Sequence, residues 1–193
     1  MIKISRPQCP NISALEGGNY KHSDNKKALE TAGFEKCMYC ESKISHTYYG
    51  DVEHIKPKSK YPELEFDWDN VGFVCRICNG IKSDKFDEAA PYINPYIENP
   101  EDHIIALGSL VMQKKGSERG EITISDIGLN RQPLIERRKE KLDQIDKTIN
   151  ACFRTTNQTL KDNALAELIK DSDADKEYSL CVKFLLKAQQ IND

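Results

Sequence analysis

The chain has 193 residues, with 28 Lys and Arg against 31 Asp and Glu, giving a formal net charge of −3. That length suits one domain with an appendage or two small domains, and the slight acidic balance argues against a free-standing protein that holds nucleic acid through phosphate contacts alone. No run of eighteen apolar residues is present to span a membrane, and the first seven residues lack the apolar stretch of a secretory signal, so a soluble cytoplasmic protein is expected.

Residues 1–36 read as an N-terminal arm and a short helix. Pro7, Pro10, Gly17 and Gly18 keep residues 5–20 irregular, Ser23 can cap a helix through residues 25–30, and Gly33 ends it. Residues 37–86 carry two CxxC pairs and most of the chemistry. Residues 87–133 form an irregular connector punctuated by Pro and Gly, in which Ala106–Gln113 and Glu121–Ile124 are expected to pair as a hairpin across the polar stretch 114–120. Residues 134–193 read as a helical extension. Leu142, Ile145, Ile149 and Cys152 give one apolar stripe, Ala164, Leu165, Leu168 and Ile169 a second, and Tyr178, Cys181, Val182, Leu185 and Leu186 a third. Charge is segregated there: residues 131–141 are basic and residues 162–177 acidic, which suits either solvated faces or a nucleic-acid edge and a partner edge.

Four of the seven cysteines fall in two pairs, Cys37/Cys40 and Cys75/Cys78. Such pairs fit two knuckles that offer four thiolates to one structural zinc ion, and a full thiolate shell leaves no open position for water. Residues 41–74 are inserted between the knuckles. Cys9, Cys152 and Cys181 stand alone and read as ordinary buried or surface thiols, and His22, His46 and His103 have no ligand-like spacing.

The insertion reads Asp51-Val52-Glu53-His54-Ile55-Lys56-Pro57-Lys58-Ser59, then Asn70 before the apolar run Val71–Val74. The second knuckle leads into Cys78-Asn79-Gly80-Ile81-Lys82. Histidine suits a general base because its unperturbed pKa lies near neutrality, and Glu53 and Asn79 offer hard oxygen ligands appropriate to Mg²⁺ or Mn²⁺. If Glu53 and His54 are adjacent in a strand, their side chains point to opposite faces, so one of them must be aimed by local distortion or use a shared edge. Of the nearby lysines, Lys82, one helical turn past Asn79, is the expected substrate-phosphate contact.

This acidic-His-Ile-x-Pro-x-Ser string, with the Asn and the CxxC-Asn-x-x-Lys that follow, resembles the HNH endonucleases. The resemblance implies an α+β fold: a zinc-braced ββα-metal (treble-clef-like) core with a C-terminal helical extension. It also implies His54 as general base, Glu53 and Asn79 as ligands of the catalytic divalent ion, and Asn70 as the residue that hydrogen-bonds within the loop presenting the histidine. Glu53 is longer than the commoner Asp at its position, and Asp51 and Asp84 could contribute in its place. Outside the core, Ile4-Ser5-Arg6-Pro7, the Phe86…Pro91…Asn94-Pro95-Tyr96 segment, residues 120–124, Ile127–Arg131 and Leu134–Arg138 are similar to one HNH subgroup. These are the PtuB-like nuclease subunits of Septu-type and retron-associated antiphage systems. That likeness implies a nucleic-acid substrate, DNA or RNA, and an ABC/SMC-like (PtuA-like) ATPase partner docked through the helical extension. It further implies a retron reverse transcriptase with its RNA/DNA as a third participant. A non-catalytic zinc-binding adaptor is the competing expectation, and a sequence-specific zinc module for nucleic acid the weaker one.

Overall fold

A computed structural model describes residues 1–44 and 49–191; His46 lies outside them. The centre is an antiparallel strand pair, β1 (Asp51–His54) and β2 (Val71–Val74), in the register Asp51↔Val74, Val52↔Phe73, Glu53↔Gly72 and His54↔Val71. β2 is buried along its whole length, with Met38 and Tyr96 close to Gly72 and the helix Ser23–Ala32 packed against the strand. Gly72 lets Met38 pack close: a Cβ would sit 2.3 Å from the Met38 sulfur, so that side chain would have to shift. β2 runs through Cys75 into α3 (Arg76–Lys82), which packs across β1 and completes a ββα unit.

The N-terminal region supplies α1 (Ile12–Glu16), within the stretch expected to be irregular, and α2 (Ser23–Ala32). α1 forms because Asn11 accepts from the Ala14 amide, a local cap that outweighs the flanking prolines and glycines. α2 is capped one residue earlier than expected, by His22, whose Nδ1 accepts from the Asp24 amide.

The connector corrects the expected hairpin. β3 (Ile104–Leu107) pairs with β4 (Leu110–Gln113) across Gly108, which takes the positive φ of +57° that the turn needs. Residues 118–126 are instead a helix, α4, because Ser117 accepts from the Gly120 amide and starts it. α4 is locked to the connector by Arg119, which reaches the Pro91 and Tyr92 carbonyls and grips both oxygens of Glu98. His103 and the Asn94 amide also hold Glu98.

The expected C-terminal stripes become α5 (Gln132–Arg154), α6 (Gln158–Lys170) and α7 (Ser179–Ala188). The charge segregation does not leave two free edges. Arg138 is buried in the apolar stripe of α5, where it donates to the Leu129 and Ser109 carbonyls, and Lys141 pairs with Asp171 at 2.7 Å. α7 is fastened to the first knuckle through buried Glu41, which meets the Met1 ammonium, Lys36, the Ser179 hydroxyl and the Leu180 amide. Among the described residues, no helix is long and apolar enough to cross a membrane.

Glu98 gives the fold a defined acid sensitivity. Burial pushes its carboxyl up, but Arg119, the Asn94 amide and His103 outweigh it and hold the group below its usual value. A depressed carboxylate stabilises the fold fully above its unfolded pKa, about 4.3, and loses that contribution as pH falls through the folded value. Chemical denaturation between about pH 5 and pH 3 should therefore show a steeper loss for the parent than for Glu98→Gln, with the variant already weaker at pH 5.

Candidate active site and zinc cluster

The first knuckle turns tightly at Glu41 (φ +64°), with the Cys37 amide donating to the Ser42 carbonyl and the Glu41 amide to the Cys37 carbonyl. The Met38 amide donates to the Phe73 carbonyl, which fixes this turn against the end of β2. In the second knuckle Cys75 is the N-cap of α3 and Cys78 lies in its first turn. The four sulfurs converge to within 4.8 Å of one another, with Cys40 and Cys75 at 3.9 Å. Tetrahedral zinc with Zn–S bonds near 2.3 Å requires sulfurs roughly 3.8 Å apart, so these residues fit a zinc ion. Arg131, at the start of α5, donates to the Cys78 sulfur at 3.4 Å.

His54, Glu53 and Asn79 line a single cavity of about 270 Å³, together with Tyr20, Lys21, Lys58, Ser59, Ser83 and Asp84. The expected conflict of faces between Glu53 and His54 is resolved by position. His54 is the last residue of β1, and its Nε2 lies 2.8 Å from the Glu65 carbonyl. A carbonyl oxygen can only accept, so Nε2 carries the proton and Nδ1 is left as an acceptor. Burial lowers the His54 pKa, reinforced by Lys58 and Lys82 and opposed by the Glu65 carbonyl and carboxylate, so the ring is neutral at pH 7.

Glu53 is buried and ion-paired through Oε1 with Lys82. Burial pushes its carboxyl up to about 7, against the downward pull of Lys82 and of the Tyr39 hydroxyl. Oε2 is also buried, and among the described residues neither it nor the Tyr39 hydroxyl that influences it makes a hydrogen bond of ordinary geometry. Glu53 and Asn79 share the wall of this cavity and offer a carboxylate and an amide oxygen, the donor types a hard divalent cation takes, so their chemistry fits such an ion. Asn79 is oriented by its own amide, which donates to Asp51 Oδ2 at 3.1 Å.

Two expectations change here. Lys82 is fully buried, and its ammonium is occupied by Glu53 and by the His54 carbonyl at 2.9 Å. It is an internal counter-charge and does not reach a substrate phosphate; Lys21 and Lys58 are the lysines on the cavity wall. Asn70 does not line the cavity. Its side chain accepts from the Lys56 amide and donates to the Lys56 and Leu64 carbonyls, so it closes the loop that carries Glu65 to His54. Tyr20 and Lys21 escaped the sequence reading because they lie in the N-terminal arm, far along the chain from any motif.

Substitution of Asn70 by Ala removes three hydrogen bonds and leaves buried backbone groups unpaired, at about 1–3 kcal/mol for each such group. Denaturant titration should show a loss of at least about 2 kcal/mol. Removal of the cysteine-bound metal by a strong chelator should lower the melting temperature further, with zinc released in a one-to-one ratio by elemental analysis.

Residues 37–85 match the family model described as HNH endonuclease. The chain is 28% identical over 215 residues to Septu protein PtuB of Bacillus thuringiensis, across 96% of this chain and 82% of that protein. It is also 28% identical over 199 residues to Septu protein PtuB of Bacillus mycoides (strain KBAB4), across 86% of this chain and 66% of that protein. The ββα unit, the cysteine cluster and the cavity all fall within or beside the matched segment, and the chain carries the HNH domain of a phosphodiester-hydrolysing nuclease within a PtuB-like sequence.

Proposed function

We propose that this protein cleaves phosphodiester bonds in nucleic acid, with His54 as general base and Glu53 and Asn79 as ligands of a catalytic Mg²⁺ or Mn²⁺, while zinc in the Cys37/Cys40/Cys75/Cys78 cluster is structural. The observation that supports this reading is one cavity lined by His54, whose Nε2 is held by the Glu65 carbonyl so that Nδ1 is the acceptor, together with Glu53 and Asn79.

His54 takes the proton of a water molecule at Nδ1, while the Glu65 carbonyl holds the opposite edge of the ring and so fixes the tautomer. Asn70 acts one step removed, by keeping the loop that bears Glu65 closed. Lys82 draws Glu53 toward its ionised form against burial and also holds the end of β1 through the His54 carbonyl. Lys21 and Lys58 stand where a phosphodiester entering the cavity would place its charged oxygens. The divalent ion, when bound, supplies charge stabilisation to the phosphate and the leaving oxygen.

At the level of the cell, we read the protein as the nuclease subunit of a Septu-type antiphage system, acting in the cytoplasm with a PtuA-like ATPase docked on the helices of residues 134–193. The support is the likeness to two proteins named Septu protein PtuB across most of the chain. Neither name mentions a retron, so a reverse transcriptase is not included in the proposal.

Purified protein, alone and with a PtuA-like ATPase, should degrade DNA or RNA only with Mg²⁺ or Mn²⁺. His54→Ala should slow cleavage by roughly 10²–10⁴-fold with unchanged zinc content and melting temperature. Cleavage by His54→Ala at the parent rate would overturn the mechanism and favour the zinc-binding adaptor.

A further inference from the structure

The N-terminal arm lies outside the matched nuclease segment, yet it encloses the loop that serves the histidine. Arg6 donates to the carbonyls of Trp68, Asp69 and Val71, and the Trp68 indole donates to the Pro7 carbonyl at 2.8 Å. Further along the arm, the Tyr20 ring stands edge-on to the His54 imidazole, with centroids 4.5 Å apart and planes at 62°. The same ring faces Phe66 at 6.4 Å, and Phe66 follows Glu65, whose carbonyl takes the His54 Nε2 proton. Tyr20 therefore touches both the imidazole and the neighbour of its hydrogen-bond acceptor, and it forms part of the cavity wall.

One hydrogen bond does not fix an imidazole, because the terminal torsion of histidine is broad and the ring can tilt about its Nε2 contact. A second, steric constraint is needed to keep Nδ1 aimed into the cavity. We propose that Tyr20 is a positioning residue for His54, so that the N-terminal arm is an integral part of the active site. The contribution comes from the ring, whose edge-to-face contact occupies the space into which the imidazole would otherwise turn. The hydroxyl is not required for it. This inference rests on the hydrolytic reading above.

The test compares full-length, zinc-loaded parent, Tyr20→Ala, Tyr20→Leu, Tyr20→Phe and His54→Ala in steady-state cleavage with saturating Mg²⁺ or Mn²⁺. A displacement of about 1 Å in a reacting group can cost on the order of 10²-fold, so Tyr20→Ala should lower kcat by roughly 10–100-fold with KM little changed. Tyr20→Phe should recover activity to within a few-fold of the parent. Should Tyr20→Ala fail to fold, Tyr20→Leu keeps a bulky apolar side chain in the arm without the aromatic edge and should show a reduced kcat. A parent-like kcat in the folded Ala or Leu variant, a change confined to KM, or a Phe variant as slow as Ala would each overturn the proposal. An inactive parent, or a His54→Ala variant as fast as the parent, would instead overturn the hydrolytic reading itself.

Discussion

The ion pair between Lys82 and Glu53 is the contact on which the geometry of the site depends. Both groups are removed from water, and a buried pair of this kind costs desolvation that its attraction repays only when further hydrogen bonds are made. Lys82 makes one to the His54 carbonyl, so a single ammonium ties the last turn of α3 to two consecutive residues of β1. Among the described residues Glu53 makes none through Oε2, the atom at which the proposed cation would bind. The pair thus offsets part of the burial that pushes this carboxyl up to about 7.

Around this pair the molecule is assembled from distant segments. The four sulfurs bring the start of the insertion and its end to one point, and the strand pairing between them leaves little freedom for His54. Arg6 and Tyr20 approach from the N-terminal side, and Arg131 from the helical side. Glu41 then joins the first knuckle to α7, with its carboxylate pushed up by burial and pulled below its usual value by the Met1 ammonium, Lys36 and Ser179. The nuclease segment is therefore stabilised by sequence on both sides of it.

The sequence displays some of this and conceals the rest for physical reasons. Cys37, Cys40, Cys75 and Cys78 could be recognised because thiolate coordination demands pairs at short spacing, and His54 because its neighbours repeat a local string. The three C-terminal helices announce themselves by periodicity. Burial is not written in local sequence, so Lys82 resembled a solvent-facing phosphate contact although its ammonium is enclosed. Residues 118–126 contain a β-prone Ile-Thr-Ile, yet the capping serine and the close approach of Gly120 to the His103 carbonyl decide for helix. Tyr20 and Arg6 meet the site only through tertiary packing, which no window around Glu53-His54 could reveal.

The contact between Arg131 and Cys78 has an electrostatic consequence at longer range. Four thiolates around one zinc ion would sum to two negative charges, set at the base of the helix that carries Asn79. A polyanion approaching that helix in a chain of net charge −3 would meet this field as repulsion. The guanidinium on Cys78 cancels half of the cluster's charge at its source. With zinc bound, Arg131 would thus soften the repulsion that the proposed substrate meets at this helix.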